Sequence, residues 1–168
     1  MIILVSDTSV LVDLKKGQLL EPTFSSGLTL AVPDMLYDTE LANQNGAYLQ
    51  KLGLGVLTLS GDELAIVQEI NAQRSGLSLP DCSALVCAMR PNFALLTSDG
   101  PLRAEAKRRK IPLYGILWLL DELEQTHQVA CKILMDGLSQ LAALPSCRLP
   151  PNEMKVRLER WQQQLNPK

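Results

Sequence analysis

The chain has 168 residues, of which 46% are hydrophobic and 20% charged, a composition typical of one globular domain with a substantial core. No apolar run is long enough to span a bilayer, and the N-terminus lacks the basic region of a signal peptide, so we expect a cytoplasmic protein with no membrane partner. The four cysteines form no CxxC pair and the only histidine is His127, which argues against a zinc site.

The charges are unevenly distributed although the net charge is only −2. Residues 1–102 contain 5 basic and 11 acidic side chains, whereas residues 103–168 contain 11 basic and 7 acidic side chains. Such a division can place an acidic, metal-binding pole opposite a basic pole that faces a polyanion, but it also occurs on ordinary protein surfaces. The division alone therefore assigns no function.

In chain order, five apolar segments separated by helical patterns predict an α/β fold with a mostly parallel sheet. The first and fourth segments are continuous apolar runs, which are typical of strands buried on both faces. The predicted strands lie at residues 2–5, 28–32, 56–59, 93–97 and 112–114.

Two aspartates directly follow the two buried strands. Asp7 comes after the first strand and Asp99 after the fourth, and a serine precedes each of them. If these strands are neighbours, right-handed crossovers bring both carboxylates to the edge of the sheet where open α/β proteins bind ligands. Each aspartate also has a purely structural interpretation, because Asp7 can cap the following helix and Asp99 with Gly100 can form a turn.

Other acids could reach the same edge from helices. Asp81 lies in the first turn of a predicted helix that leads into the fourth strand, a position that the helix dipole alone also favours. Asp38 and Glu40 lie in the helix after the second strand. They are about 200° apart around the helix axis, so both cannot face one point.

Carboxylates that converge at one edge repel each other and raise each other's pKa, which a protein tolerates mainly when a cation binds between them. Oxygen ligands without cysteine or histidine favour Mg²⁺ or Mn²⁺. A cation held by three or four acids suits phosphodiester hydrolysis, because it activates water and stabilises the charge that develops on the phosphate.

Three motifs occur in order over residues 1–125: Val5-Ser6-Asp7-Thr8-Ser9, Leu79-Pro80-Asp81 before an apolar helix, and Thr97-Ser98-Asp99-Gly100-Pro101-Leu102-Arg103. Through them the chain resembles the PIN-domain nucleases, a family that includes the toxins of bacterial toxin–antitoxin pairs. The resemblance implies a Rossmann-like sheet and a Mg²⁺ or Mn²⁺ site. It implies metal ligation by Asp7, Asp81, Asp99 and one acid of a further motif, with the Ser9 and Thr97 hydroxyls bonded near the carboxylates or a metal-bound water.

The further motif departs from the family, which usually has glutamate in the helix after the second strand. Placing Tyr37 on the aromatic residue that often precedes the acid selects Asp38, whose side chain is one methylene shorter. Glu40 is the alternative ligand. A weakened ligand at this position also leaves open a protein that binds without cutting.

The resemblance implies a metal-dependent endoribonuclease acting on single-stranded RNA, with a toxin role and a small antitoxin partner as the finer hypothesis. The basic helix after Asp99 is then expected to contact RNA through Arg103, Lys107, Arg108 and Lys110. Two alternatives stay open at this point. One is a catalytically weak PIN-like module that binds RNA or protein, and the other is a receiver-like phosphoacceptor domain, which is disfavoured because Ser6 replaces an acid before Asp7.

We predict that residues 1–125 form the PIN-like domain and that residues 126–168 form a helical extension packed on the same domain. The apolar stripe of the last helix contains Trp161 near its middle. Such a stripe is more often packed within its own chain than used as an interface. If it is an interface, Trp161 is the expected anchor, and the chain could form a homodimer.

Overall fold

The computed structural model describes residues 1–167 and contains one five-stranded sheet in which every pair of neighbours is parallel. The strand order is β3-β2-β1-β4-β5. The predicted α/β class and the number of strands are confirmed. The strands are β1 (Ile3–Ser6), β2 (Thr29–Pro33), β3 (Gly55–Leu57), β4 (Phe93–Leu96) and β5 (Leu113–Tyr114).

Helices cover both faces of the sheet. They are α1 (Thr8–Lys16), α2 (Leu20–Ser25), α3 (Asp34–Leu36), α4 (Gly46–Leu52), α5 (Gly61–Gln73), α6 (Leu79–Cys87), α7 (Gly100–Arg108), α8 (Ile116–Gln125), α9 (Cys131–Ala142) and α10 (Pro151–Leu165), with a π-helical turn (Tyr37–Leu41) directly after α3. Within residues 1–167, none of these helices is both long and apolar enough to cross a membrane.

The central strands β1 and β4 have apolar side chains on both faces because each face of the sheet has its own core. Leu4 and Leu96 belong to the larger hydrophobic cluster, whereas Val5 and Leu95 belong to the smaller one. This two-sided burial is why both strands appear in the sequence as unbroken apolar runs.

The order of the strands reverses between β1 and β4. The chain moves from β1 through β2 to β3 on one side, and then returns to place β4 on the other side of β1. Val5 lies opposite Leu95 and Ser6 lies opposite Leu96, so the two strands end side by side. Open α/β sheets bind ligands in the crevice outside such a reversal, at the carboxyl ends of the strands.

The two C-terminal helices pack against the rest of the chain. Trp161 is 0% exposed and lies in the larger core cluster with Met154, which excludes Trp161 as an exposed interface anchor. Three ion pairs join α10 to α8: Arg157 with Asp121 at 2.7 Å, Arg160 with Glu124 at 2.5 Å and Arg160 with Asp121 at 3.1 Å. The division of the chain at residue 125 stays a prediction.

The backbone of α9 at Gly137 packs closely against the backbone at the end of α1. A Cβ added to Gly137 would lie 2.8 Å from the Leu19 side chain and 2.9 Å from the carbonyl oxygen of Gly17. Distances this short are incompatible with a side chain, so only glycine allows this packing.

Candidate functional site

Asp7 is buried at the carboxyl end of β1, where it caps α1. Its Oδ1 accepts hydrogen bonds from the Val10 amide at 3.0 Å and the Ser9 hydroxyl at 2.9 Å. Its Oδ2 lies 2.8 Å from the same Ser9 hydroxyl and accepts a short hydrogen bond from the Thr97 hydroxyl at the end of β4. The carboxylate therefore caps α1 and also joins the ends of the two central strands through a side-chain hydrogen bond.

The environment of Asp7 disfavours its charged form. Burial raises the pKa of the Asp7 carboxyl, the hydrogen bonds from Thr97, Val10 and Ser9 oppose this rise, and the negative charge of Asp81 adds to it. A cation near the two acids would relieve this cost.

Asp99 is connected to Asp7 through Thr97. The Thr97 hydroxyl, which donates to Asp7, also accepts a hydrogen bond from the Asp99 amide at 3.0 Å. The half-buried Asp99 caps α7 by accepting a hydrogen bond from the Leu102 amide at 3.0 Å through Oδ2. Both aspartates therefore cap helices, as the structural interpretation of the sequence predicts. In Asp99 the cap uses Oδ2.

Asp81 lies in the first turn of α6, whose N-cap is Ser78 as the sequence indicates. The Ser78 hydroxyl accepts a hydrogen bond from the Asp81 amide at 3.2 Å. Because Ser78 does the capping, the half-buried Asp81 carboxylate is not needed for it. In residues 1–167 the Asp81 carboxylate accepts no hydrogen bond from another side chain.

The π-helical turn after α3 carries the two competing acids. Its defining hydrogen bond runs from the Ala42 amide to the Tyr37 carbonyl at 2.8 Å. Glu40 Oε2 accepts a hydrogen bond from the hydroxyl of Thr8, the residue next to Asp7, at 2.8 Å. Asp38 is exposed, and within the described chain its side chain forms no hydrogen bond. Single π-helical turns occur frequently at functional sites.

The four acids do not form a closed cluster. Across residues 1–167, no three side chains of aspartate, glutamate, histidine or cysteine are close enough together to form a metal-binding group. Asp7 is bonded to the hydroxyls of Ser9 and Thr97 and to the Val10 amide, while residues 38–40 of the π-helical turn are exposed. The donors at the ends of β1 and β4 are nevertheless carboxylates and hydroxyls, the hard oxygen ligands that suit Mg²⁺ or Mn²⁺.

The four basic residues expected to contact RNA lie in different surroundings. Arg103 Nη1 donates to the Thr97 carbonyl at 2.9 Å, and Gly115 makes room for it, since an added Cβ there would lie 3.1 Å from this nitrogen. Arg108 is paired with the buried Glu105 on its own helix. Lys107 and Lys110 are exposed. Of these four residues, Arg103 is the one that contacts Thr97, whose hydroxyl is bonded to both Asp7 and the Asp99 amide.

The sequence did not predict two contacts, one made by the Thr8 hydroxyl and one made by Arg74. Thr8 belongs to the Asp7 motif, but the motif gives no role to its hydroxyl. Arg74 belongs to no motif, yet it pairs with Glu105 at 3.0 Å from the end of α5. The position of Thr8 beside Asp7 is a signal that could identify it, whereas no local signal connects Arg74 to Glu105.

Comparison with known proteins gives one match. A protein-family model described as a PIN domain matches residues 3–163. No curated protein and no solved structure matches the chain. The matched range includes α8, α9 and most of α10, so it extends beyond residue 125, where the resemblance in the sequence ended. The parallel sheet, the aspartates after β1 and β4, and this nearly complete match together show that the chain belongs to the PIN-domain family.

Proposed function

We propose that this protein is an endoribonuclease that uses Mg²⁺ or Mn²⁺ to hydrolyse phosphodiester bonds in single-stranded RNA. PIN domains are typically nucleases that act on nucleic acids, and they generally bind divalent metal ions. The observation that carries the proposal is the link from Asp7 through the Thr97 hydroxyl to Asp99, with the charge of Asp81 acting on Asp7. Because the chain belongs to the PIN-domain family, we no longer consider a receiver-like phosphoacceptor domain.

The ligands we propose are Asp7, Asp81, Asp99 and Glu40, with Asp38 as the alternative to Glu40. A divalent ion bound there would supply a water of lowered pKa and would neutralise charge that develops on the phosphate. Ser9 and Thr97 orient the Asp7 carboxylate by donating hydrogen bonds to it. Arg103 uses one nitrogen for the Thr97 carbonyl, and its other donors can contact a substrate phosphate.

Metal dependence is the direct test of this proposal. Purified protein should cleave single-stranded RNA in Mg²⁺ or Mn²⁺. The proposed site consists of carboxylates and hydroxyls, without a histidine that could act as a general base in the absence of metal. Excess EDTA should stop cleavage, and adding the metal back should restore it. Equal rates with and without EDTA would contradict the mechanism.

The choice between Glu40 and Asp38 can be tested by a matched pair of substitutions. We propose Glu40 because its carboxylate accepts a hydrogen bond from Thr8, next to Asp7, whereas the Asp38 side chain forms no hydrogen bond within residues 1–167. Glu40→Gln should lower the cleavage rate by about tenfold or more, the size of effect seen when groups supporting a metal site are removed. Asp38→Asn should cleave like the wild type. The opposite result would assign the role to Asp38.

A second candidate function is a module that binds RNA or protein and cleaves poorly. It is favoured by the open arrangement of the acids, since no closed metal-binding group forms in residues 1–167. RNA retained equally with EDTA and with Mg²⁺, without cleavage in either, would support this candidate. An antitoxin partner, a homodimer and a cytoplasmic location stay predictions.

A further inference from the structure

A buried glutamate on α7 holds three arginines together. Glu105 is 5% exposed. Its Oε1 pairs with Arg109 Nε at 2.7 Å and with Arg108, while its Oε2 lies 3.2 Å from Arg108 Nε and 3.0 Å from Arg74 Nε. Arg108 and Arg109 belong to the end of α7, whereas Arg74 directly follows α5. One carboxylate therefore fixes guanidinium groups from two separate helices.

This group of side chains, which we call the Glu105 cluster, keeps a net charge of about +2 because arginine stays protonated. Hydrogen bonds from Arg108 first, and then from Arg109, lower the pKa of Glu105 to about 2, so its single negative charge is also constant. One arginine would suffice to neutralise the carboxylate. The surplus of positive charge indicates that the cluster does more than satisfy Glu105.

Donors of the Glu105 cluster remain for a ligand. Arg74 contacts Glu105 through Nε and Arg108 does so through Nε and Nη2, and within residues 1–167 the other terminal nitrogens of these two arginines have no hydrogen-bond partner. The Arg74 and Arg108 side chains are 42% and 49% exposed. A guanidinium group has a planar set of five donors that suits the oxygens of a phosphate. Because Glu105 already holds the arginines in place, an anion would bind to oriented donors.

The exposed side of the Glu105 cluster faces a cleft of about 430 Å³ between α7 and the loop that joins α5 to α6. Arg74, Arg108 and Gly76 line the cleft, together with Leu77 and Pro101. Pro101 is two residues after Asp99 and Leu77 is four residues before Asp81, so the segments that line the cleft are close in sequence to both of these acids. Along the axis of α7, Arg108 is about 13 Å from Asp99, a distance that a short stretch of nucleic acid can span.

We infer that Arg74 and Arg108, oriented by Glu105, form a subsite for a backbone phosphate of a single-stranded nucleic acid whose cleaved bond lies at Asp7 and Asp99. The subsite rests on the proposed nuclease function, and it adds Arg74 and the cleft to the basic residues expected from the sequence. An acidic protein segment is the competing occupant. A phosphate is favoured because the segments that line the cleft lead directly to Asp81 and Asp99 along the chain.

The subsite can be tested by binding of a labelled single-stranded RNA of mixed sequence, measured by fluorescence anisotropy in EDTA over a series of salt concentrations. The Arg74→Gln/Arg108→Gln double variant should bind more weakly at low salt. Its plot of log affinity against log salt should be shallower by about 0.7 for each phosphate that the variant no longer neutralises. The matched control is Lys132→Gln/Lys155→Gln, which removes two exposed, ion-paired cations from α9 and α10 and should leave the slope unchanged.

Replacing both arginines with lysine provides a second test, because lysine keeps the positive charges that neutralise Glu105. Arg74→Lys/Arg108→Lys should retain most of the salt slope but bind less tightly than the wild type, because lysine cannot form the two-pronged contact. This variant decides the question if the glutamine pair fails to unfold cooperatively in a thermal melt.

Wild-type affinity and slope in a folded double variant would overturn the subsite. The measurement needs no metal and no cleavage, so it stands apart from the proposed activity. If the wild type fails to cleave RNA but the double variant still loses affinity, the nuclease proposal fails and the subsite stands. If the wild type cleaves RNA and the double variant binds RNA as tightly as the wild type, the nuclease proposal stands and the subsite fails.

Discussion

Replacing Asp7 with asparagine should abolish RNA cleavage and leave the metal-free protein at least as stable as the wild type. Cleavage is lost because asparagine is a neutral and weaker ligand for a hard cation. The fold is retained because asparagine caps helices as well as aspartate does, so the hydrogen bond from the Val10 amide persists. Asp99→Asn should behave in the same way, since Asp99 also caps a helix.

The expected stability follows from the pKa of Asp7, which burial raises above its ordinary value of 3.8. Below pH 3.8 the carboxyl is protonated in the folded and the unfolded protein, and no charge is buried. As the pH rises through the folded-state pKa, this favourable protonated state is lost, so at neutral pH the wild type has to bury the charge. The neutral asparagine side chain avoids the penalty at every pH.

The matched control is Asp7→Ala, which removes both the charge and the cap. Loss of the cap should lower the free energy of unfolding by about 1 kcal/mol relative to the asparagine variant. Urea unfolding of the three proteins in EDTA at pH 7 measures the difference. An asparagine variant as unstable as the alanine variant would mean that Asp7 serves mainly to hold β1 to β4.

Truncating Trp161 should produce the largest loss of stability among single substitutions on α10. Trp161 is fully buried in the larger core cluster, and replacing a buried tryptophan with alanine costs about 3–5 kcal/mol. A domain of this kind is stable by only about 5–15 kcal/mol, so the variant should be close to unfolding at physiological temperature. The matched control is Val156→Ala on the same helix, where the side chain is 59% exposed.

Deleting residues 150–168 extends the same prediction. The deletion removes Trp161 and Met154 from the core and breaks the ion pairs between α10 and α8, so the apolar face of α9 becomes exposed. We expect aggregation or a changed oligomeric state, while any folded molecules keep their cleavage activity because none of the proposed ligands lies on α10. Sedimentation and a cleavage assay measure both properties. A soluble truncation with an unchanged mass would contradict the prediction.

Features set by neighbouring residues were predictable from the sequence. The two buried strands were recognisable because unbroken apolar runs are stable only when both faces are covered, as they are for β1 and β4. Ser60 and Glu63 form a capping box at the start of α5, and Ser78 caps α6. Each cap joins residues that are three apart, so such caps are local features of the sequence. Asp7 and Asp99 were recognisable as residues that follow the two buried strands, whereas the structure decides that these strands are neighbours.

Tertiary structure alone decided the contacts between distant parts of the chain. Glu40 reaches Thr8 across 32 residues, and the π-helical turn changes the direction of its side chain relative to an ordinary helix. Arg74 reaches Glu105 from another helix, and Trp161 lies in a core formed by residues far away in sequence. Periodicity and capping signals report which face of one element is apolar and where that element begins. They carry no information on the angle at which two elements cross, and that angle determines which side chains meet.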